Sequence, residues 1–285
     1  MKKVFLWVLV LLLAAALGLG LVYLYRYLYP DVPPVETPPE TSETAPTTEP
    51  TVPATQPAPT QPVLTAADFT VENGFMTCTA VPSRLGIDVS TFQGDIDWQK
   101  VKEADITFAM IRVGGRGYGE SGTLYADKRA QDNYKGAKEA GLDVGAYFFS
   151  QAVNPGEAVE EAEYVLEQIK DWELSMPVVF DWEYMGEQAR TAYVDPRTLT
   201  DCMNAFSARV RQAELVPMIY VNMDQAKDSF YMEDVENAAL WMAMYDGWEE
   251  TEYKVDMWQY TKTGKVPGIS GNVDINLQLL YDEIA

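Results

Sequence analysis

The chain has 285 residues, with 43 Asp and Glu against 21 Lys and Arg, a formal charge of −22 and no histidine. The lack of histidine excludes Ser-His-Asp and Cys-His nucleophile systems and His-ligated zinc. The acidic excess argues against nucleic-acid binding by phosphate neutralisation. Carboxylate chemistry remains, and no cofactor or metal is called for.

Lys2 and Lys3 precede an uncharged apolar run over 4–25, close to the ~20 residues that a membrane-spanning helix needs. This predicts a single-pass signal anchor, with residues 1–3 in the cytoplasm and everything after Arg26 outside the cytoplasmic membrane. Ala14, Ala15 and Ala16 leave a cleavage site open, in which case the rest is secreted. Residues 26–64, densest in Pro, Thr, Glu and Ala between Pro30 and Pro62, lack the apolar surface to fold. They predict a disordered stalk that, at about 3 Å per residue, reaches up to ~100 Å from the membrane. In the segment 65–84, Asn73-Gly74 stands between two β-prone runs and predicts a hairpin ahead of the main domain. Cys202 shares a helical face with Leu199, Phe206 and Val210, which predicts a buried free thiol rather than a bridge to Cys78.

From residue 85 to 285 strand and helix patterns alternate, the mark of an α/β fold. The strand candidates are Gly86 to Ser90, Thr107 to Val113, Val144 to Ser150, Pro177 to Glu183, Val216 to Asn222, Ala239 to Tyr245, Lys254 to Tyr260 and Asn272 to Asn276. Eight such runs predict a closed β/α barrel. Asn154-Pro155 and Asp195-Pro196 each place an N-cap before a proline at the first helical position, and Gly141 ends the preceding helix. Connections between the late strands are short, so fewer than eight helices are expected.

The run Met176 to Glu183 ends in two carboxylates spaced i, i+2, so Asp181 and Glu183 share a strand face with Val179 while Val178, Phe180 and Trp182 take the other. Burial beside apolar neighbours raises a carboxyl pKa, the usual means of keeping a general acid protonated near neutral pH. In a barrel, residues at the carboxyl ends of the strands converge on one mouth. Asp88, Asp181, Glu183 and Asp274 are placed at such ends, with Tyr147, Tyr220, Trp241, Tyr245 and Gln259 at others. Together they predict an acidic cleft with aromatic walls, suited to the apolar faces and hydroxyl groups of sugars.

Seven ordered motifs then resemble one family. Gly86-Ile-Asp-Val-Ser90 with Gln93-Gly94 and Ile96-Asp97-Trp98, Phe108 to Gly114, Gly145 to Phe149, Pro177 to Glu183, Leu240 to Tyr245, Met257 to Tyr260 and Val273 to Asn276 are similar to the family 25 glycoside hydrolases. These are lysozymes that cut the β-1,4 bond between N-acetylmuramic acid and N-acetylglucosamine. The resemblance implies an irregular TIM-like barrel of eight strands and fewer than eight helices acting on peptidoglycan glycan strands, and a monomer is expected. It makes Glu183 the general acid, Asp181 a stabilising or acetamido-orienting neighbour, and Asp88 and Asp274 the other acids of the pocket. Arg112, in the Phe108 to Gly114 motif, joins the five strand-end side chains as substrate-binding. Phe148 departs from a family position where histidine is frequent, and Gly115 from one that often carries a larger residue. Neighbouring-group participation and direct displacement both stay open. So do a chitinase-like N-acetylglucosaminidase and a non-catalytic wall-binding barrel.

Overall fold

The structure, a computed structural model, describes residues 62–281. The expected anchor 4–25 and the stalk up to residue 61 lie outside the described residues. Among those described, no helix is long and apolar enough to cross a membrane.

The chain enters through an antiparallel hairpin, β1 (Phe69–Glu72) and β2 (Phe75–Cys78). Its turn needs two left-handed residues, and Asn73 (φ 53°) and Gly74 (φ 86°) supply them. Phe69 lies 4.6 Å from the Trp248 ring and 4.9 Å from the Trp258 ring, which ties the hairpin to the domain behind it.

Eight strands close the barrel: β3 (Ser83–Val89), β4 (Phe108–Arg116), β6 (Asp143–Ser150), β7 (Val178–Trp182), β8 (Pro217–Asn222), β9 (Ala239–Ala243), β10 (Met257–Gly264) and β11 (Val273–Leu279). The sheet runs β3-β11-β10-β9-β8-β7-β6-β4, and β3 pairs with β4 to seal it. Neighbours are parallel except around β11, which is antiparallel to both β10 and β3. Only residues 265–272 join β10 to β11, too few for the crossover that a parallel partner requires.

Two sequence expectations need correction. The run Lys254 to Tyr260 is displaced: β10 begins at Met257 and runs on to Gly264, and Asp256 just ahead of it joins β9 and β11 through its backbone, with its carboxylate accepting from the Leu240 amide (2.9 Å). A short strand β5 (Leu124–Ala126), unforeseen in the sequence, pairs antiparallel with Gly114–Arg116 and extends that edge of the barrel. It packs so closely that a Cβ on Gly114 would stand 2.2 Å from the Tyr125 carbonyl oxygen.

Five helices accompany the strands among the described residues: α1 (Trp98–Glu103), α2 (Ala130–Glu139), α3 (Pro155–Gln168), α4 (Pro196–Gln212) and α5 (Met223–Asp228). Asn154 and Asp195 cap α3 and α4, accepting from Glu157 N (3.0 Å) and Thr198 N (3.1 Å), with proline at the first turn of each. Gly141 (φ 76°) follows the end of α2. The long helices thus serve the early crossovers, and no helix separates β9, β10 and β11.

The alternation read in β7 sets the layering. Val178, Phe180 and Trp182 join the outer core with Phe206 and Met203 of α4, while Val179 packs inside with Met110, Met218, Trp241 and Met257. Cys202 is buried in the outer core as a free thiol, and Cys78 is also free and half-buried.

Candidate active site

A cleft of about 660 Å³ opens at one end of the barrel, and all ten residues singled out in the sequence line it: Asp88, Arg112, Tyr147, Asp181, Glu183, Tyr220, Trp241, Tyr245, Gln259 and Asp274. Asp88 and Asp181 come from the carboxyl ends of β3 and β7, and Glu183 is the first residue past β7. Asp274 reaches the same mouth differently. It lies near the amino end of β11, not a carboxyl end as the sequence suggested, and the antiparallel run of that strand brings it level with Asp88.

Polar partners hold the acids in place. Asp88 Oδ2 accepts from Gln259 Nε2 (2.8 Å) and Asn276 Nδ2 (2.9 Å), and Asn276 in turn accepts from Trp241 Nε1 (2.8 Å). Gln259 Oε1 accepts from both tyrosine hydroxyls, Tyr220 at 2.9 Å and Tyr245 at 2.6 Å. With its carbonyl oxygen satisfied by two donors, the Gln259 amide is oriented to give its N–H to Asp88. Trp241 is only 2% exposed and forms the floor, whereas Tyr245 at 40% is a wall. Arg112 is pinned by Asp127 through Nε (2.9 Å) and the terminal nitrogen (2.8 Å), and its guanidinium lies 4.9 Å from the centroid of the Phe92 ring.

Burial dominates the electrostatics. Desolvation raises all four carboxyls above their usual range. Asp181 goes well above it, pushed further by Glu183 and Asp88. Glu183 is exposed at the mouth, yet its carboxyl is raised by desolvation and by Asp88, against the opposing pull of Arg112 and Lys262. Asp274 is pushed up to about 8 by burial and by Asp88, with which it shares a hydrogen bond. That bond lowers Asp88 and raises Asp274, so of the two Asp274 is the one that favours the proton. Asp181 Oδ1 is buried without a protein hydrogen-bond partner. Among the described residues no group of three or more Cys, Asp or Glu side chains is arranged to hold a metal ion.

Sequence reasoning missed several lining residues. Tyr118, Tyr125 and Met185 come from the edge strand and loops, where periodicity carries no information. Lys262, which stands 5.0 Å from the Tyr245 ring centroid, sits on an exposed stretch of β10 and had no motif to mark it. Ser90 and Gln93 lay within the quoted motifs, where their capping roles were the available clue.

A closed β/α barrel whose cleft gathers four carboxyls, all raised by burial, between aromatic walls defines, as a class, a glycoside hydrolase scaffold. The chain belongs to glycosyl hydrolases family 25, whose model matches residues 87–269. It is 29% identical over 204 residues to Lysozyme M1 of Streptomyces globisporus, covering 67% of this chain and 66% of that protein. It is 28% identical over 195 residues to the autolytic lysozyme of Clostridium acetobutylicum, covering 67% and 54%. Among solved structures, the modular autolysin LytC of Streptococcus pneumoniae in complex with a synthetic peptidoglycan ligand superposes with a TM-score of 0.62 at 25% identity, covering 73% of this chain and 51% of that one. The chain therefore spans about half to two thirds of the length of these relatives.

Proposed function

We propose that this protein is a peptidoglycan hydrolase that cuts the β-1,4 bond between N-acetylmuramic acid and N-acetylglucosamine, with Glu183 as general acid. The observation that carries the reading is the arrangement at the β7 exit. Asp181 and Glu183 point into one cleft, both raised by burial, and Asp181 Oδ1 is a buried acceptor with no protein donor. An acetamido N–H from the substrate supplies that donor, favours the ionised Asp181 and leaves the proton with Glu183, which gives it to the departing glycosidic oxygen. This supports the acetamido-orienting role for Asp181. Asp88, held by Gln259 and Asn276, faces the reacting centre as base or orienter, while Asp274 keeps the proton between them. Tyr147, Tyr220, Tyr245 and Trp241 offer faces for the sugar rings, with Arg112 and Gln259 as polar contacts.

In the same reading the apolar run 4–25 anchors the domain outside the cytoplasmic membrane, and the stalk up to residue 61 extends it toward the wall; the expected stalk end at residue 64 is corrected, since Leu64 is buried in the core and its carbonyl accepts from Trp248 Nε1 (3.1 Å). Support for the anchor and the stalk comes from the sequence alone.

Digestion of purified peptidoglycan followed by mass analysis of the products tests the activity. New N-acetylmuramic acid reducing ends are expected. Reducing N-acetylglucosamine would assign the chitinase-like specificity instead, and binding to sacculi without release of reducing sugar would leave a non-catalytic barrel.

A further inference from the structure

Behind the cleft a buried polar network reaches the backbone at the exit of β7. Gln151, fully buried just past the end of β6, donates from Nε2 to the Glu183 carbonyl oxygen at 2.8 Å. Its own Oε1 accepts from the Thr191 hydroxyl at 2.7 Å, so the amide has one consistent orientation. The Gln151 backbone N–H donates to Glu161 Oε1 (3.3 Å), and that carboxylate also receives Arg116 Nε (2.7 Å) and the Ser150 hydroxyl (2.6 Å). One peptide earlier, Gln225 Nε2 donates to the Trp182 carbonyl oxygen (2.9 Å), and Gln225 Oε1 accepts from Asn222 N (2.8 Å).

Two consecutive carbonyls, those of Trp182 and Glu183, are therefore each gripped by a buried glutamine amide. The ladder of β7 ends at Trp182, so nothing in the sheet fixes the peptide that follows. Buried amides held at both ends exchange geometry poorly, and a misplacement of about 1 Å at a reacting group costs on the order of 10²-fold in rate. We infer that Gln151 is a positioning residue that aims the Glu183 carboxyl into the cleft by clamping its backbone carbonyl, with Gln225 as the second clamp. The inference rests on Glu183 being the proton donor.

Gln151→Met keeps the volume and removes the donor. In the full-length chain acting on soluble peptidoglycan fragments, kcat falls about 10- to 100-fold while KM stays within about twofold, and the pH optimum shifts because Glu183 moves relative to Asp88. Phe206→Leu, in the outer core, serves as a control for lost stability and leaves kcat and the pH profile unchanged. Thr191→Val, a milder change that frees the Gln151 amide, lowers kcat in the same direction by a smaller factor and covers the case in which Gln151→Met does not fold. A kcat within twofold of wild type with an unaltered pH profile in either Gln151→Met or Thr191→Val overturns the inference, as does an equal kcat loss in Phe206→Leu. Carbon-detected NMR titration of the Glu183 carboxyl gives a readout independent of turnover. Its midpoint moves in Gln151→Met, and an unmoved midpoint refutes the clamp even if the wild-type chain proves to have no hydrolase activity.

Discussion

Asp88 and Asp274 are register partners on antiparallel strands, one on β3 and one on β11, and the hydrogen bond between their carboxyls at the mouth of the barrel raises Asp274 and opposes the rise of Asp88. Like charges so close cannot both be ionised cheaply, and burial adds to that cost. A proton is therefore favoured on Asp274, pushed up to about 8, over Asp88, whose charge has two further donors, Gln259 and Asn276, to stabilise it.

Removing this proton should switch the site off from the alkaline side. Asp274 is pushed up to about 8, so activity is expected to fall as pH rises through that region, when a second negative charge appears beside Asp88. Asp274→Asn imitates the protonated form. It should retain activity within about tenfold of wild type and lose this alkaline limb. An alkaline limb unchanged in Asp274→Asn would assign it to another group.

Stability should carry the same sign. Asp88, Asp181, Glu183 and Asp274 all have folded-state pKa values above their unfolded ones. The folded state therefore binds more protons, and stability declines as pH rises from about 4 through the raised folded values. Melting temperature should be higher at pH 5 than at pH 8. The double variant Asp181→Asn, Asp274→Asn should flatten that slope, whereas a steeper slope in the variant would contradict the assignment.

Loss of the donor proton gives the most direct catalytic test. Glu183→Gln keeps the shape and removes the acid, so hydrolysis of peptidoglycan should drop by about 10²- to 10⁴-fold. The side chain lies exposed at the cleft mouth, so thermal stability should change little. Near wild-type turnover would reject the role.

Charge should govern encounter with the substrate. With a formal charge of −22, the protein should repel anionic wall polymers over distances that salt shortens, the screening length being about 10 Å at 0.1 M. Hydrolysis of walls rich in anionic polymer should rise with moderate salt or added divalent cation. A rate that only falls with salt would show that another interaction controls binding.

Much of the architecture was legible because its determinants are local. The i, i+2 alternation of β7 sorted Asp181 and Val179 to the inside and Phe180 and Trp182 to the outside, and the Asn154-Pro155 and Asp195-Pro196 caps marked where α3 and α4 begin. Strand β5 was not legible, since three residues carry no period and its partner is an extension of β4. Nor was the direction of β11, although the shortness of 265–272 contained the reason. The clamps escaped for a different cause. Gln151, past the end of β6, and Gln225, in the first turn of α5, look like ordinary polar residues until β6, β7 and β8 stand side by side.

By itself, the sequence determined which chemistry was open to this protein. A chain without histidine, with acids ending its apolar runs, has carboxyl groups for proton transfer, and motif order along 85–285 settled the barrel. Tertiary structure alone decided which of those carboxyls hold protons and which way they face. A carboxyl's affinity for a proton is set by lost water and by neighbouring charge. At Asp88 those neighbours are Gln259, Asn276 and Asp274, contributed by strands at the far end of the chain.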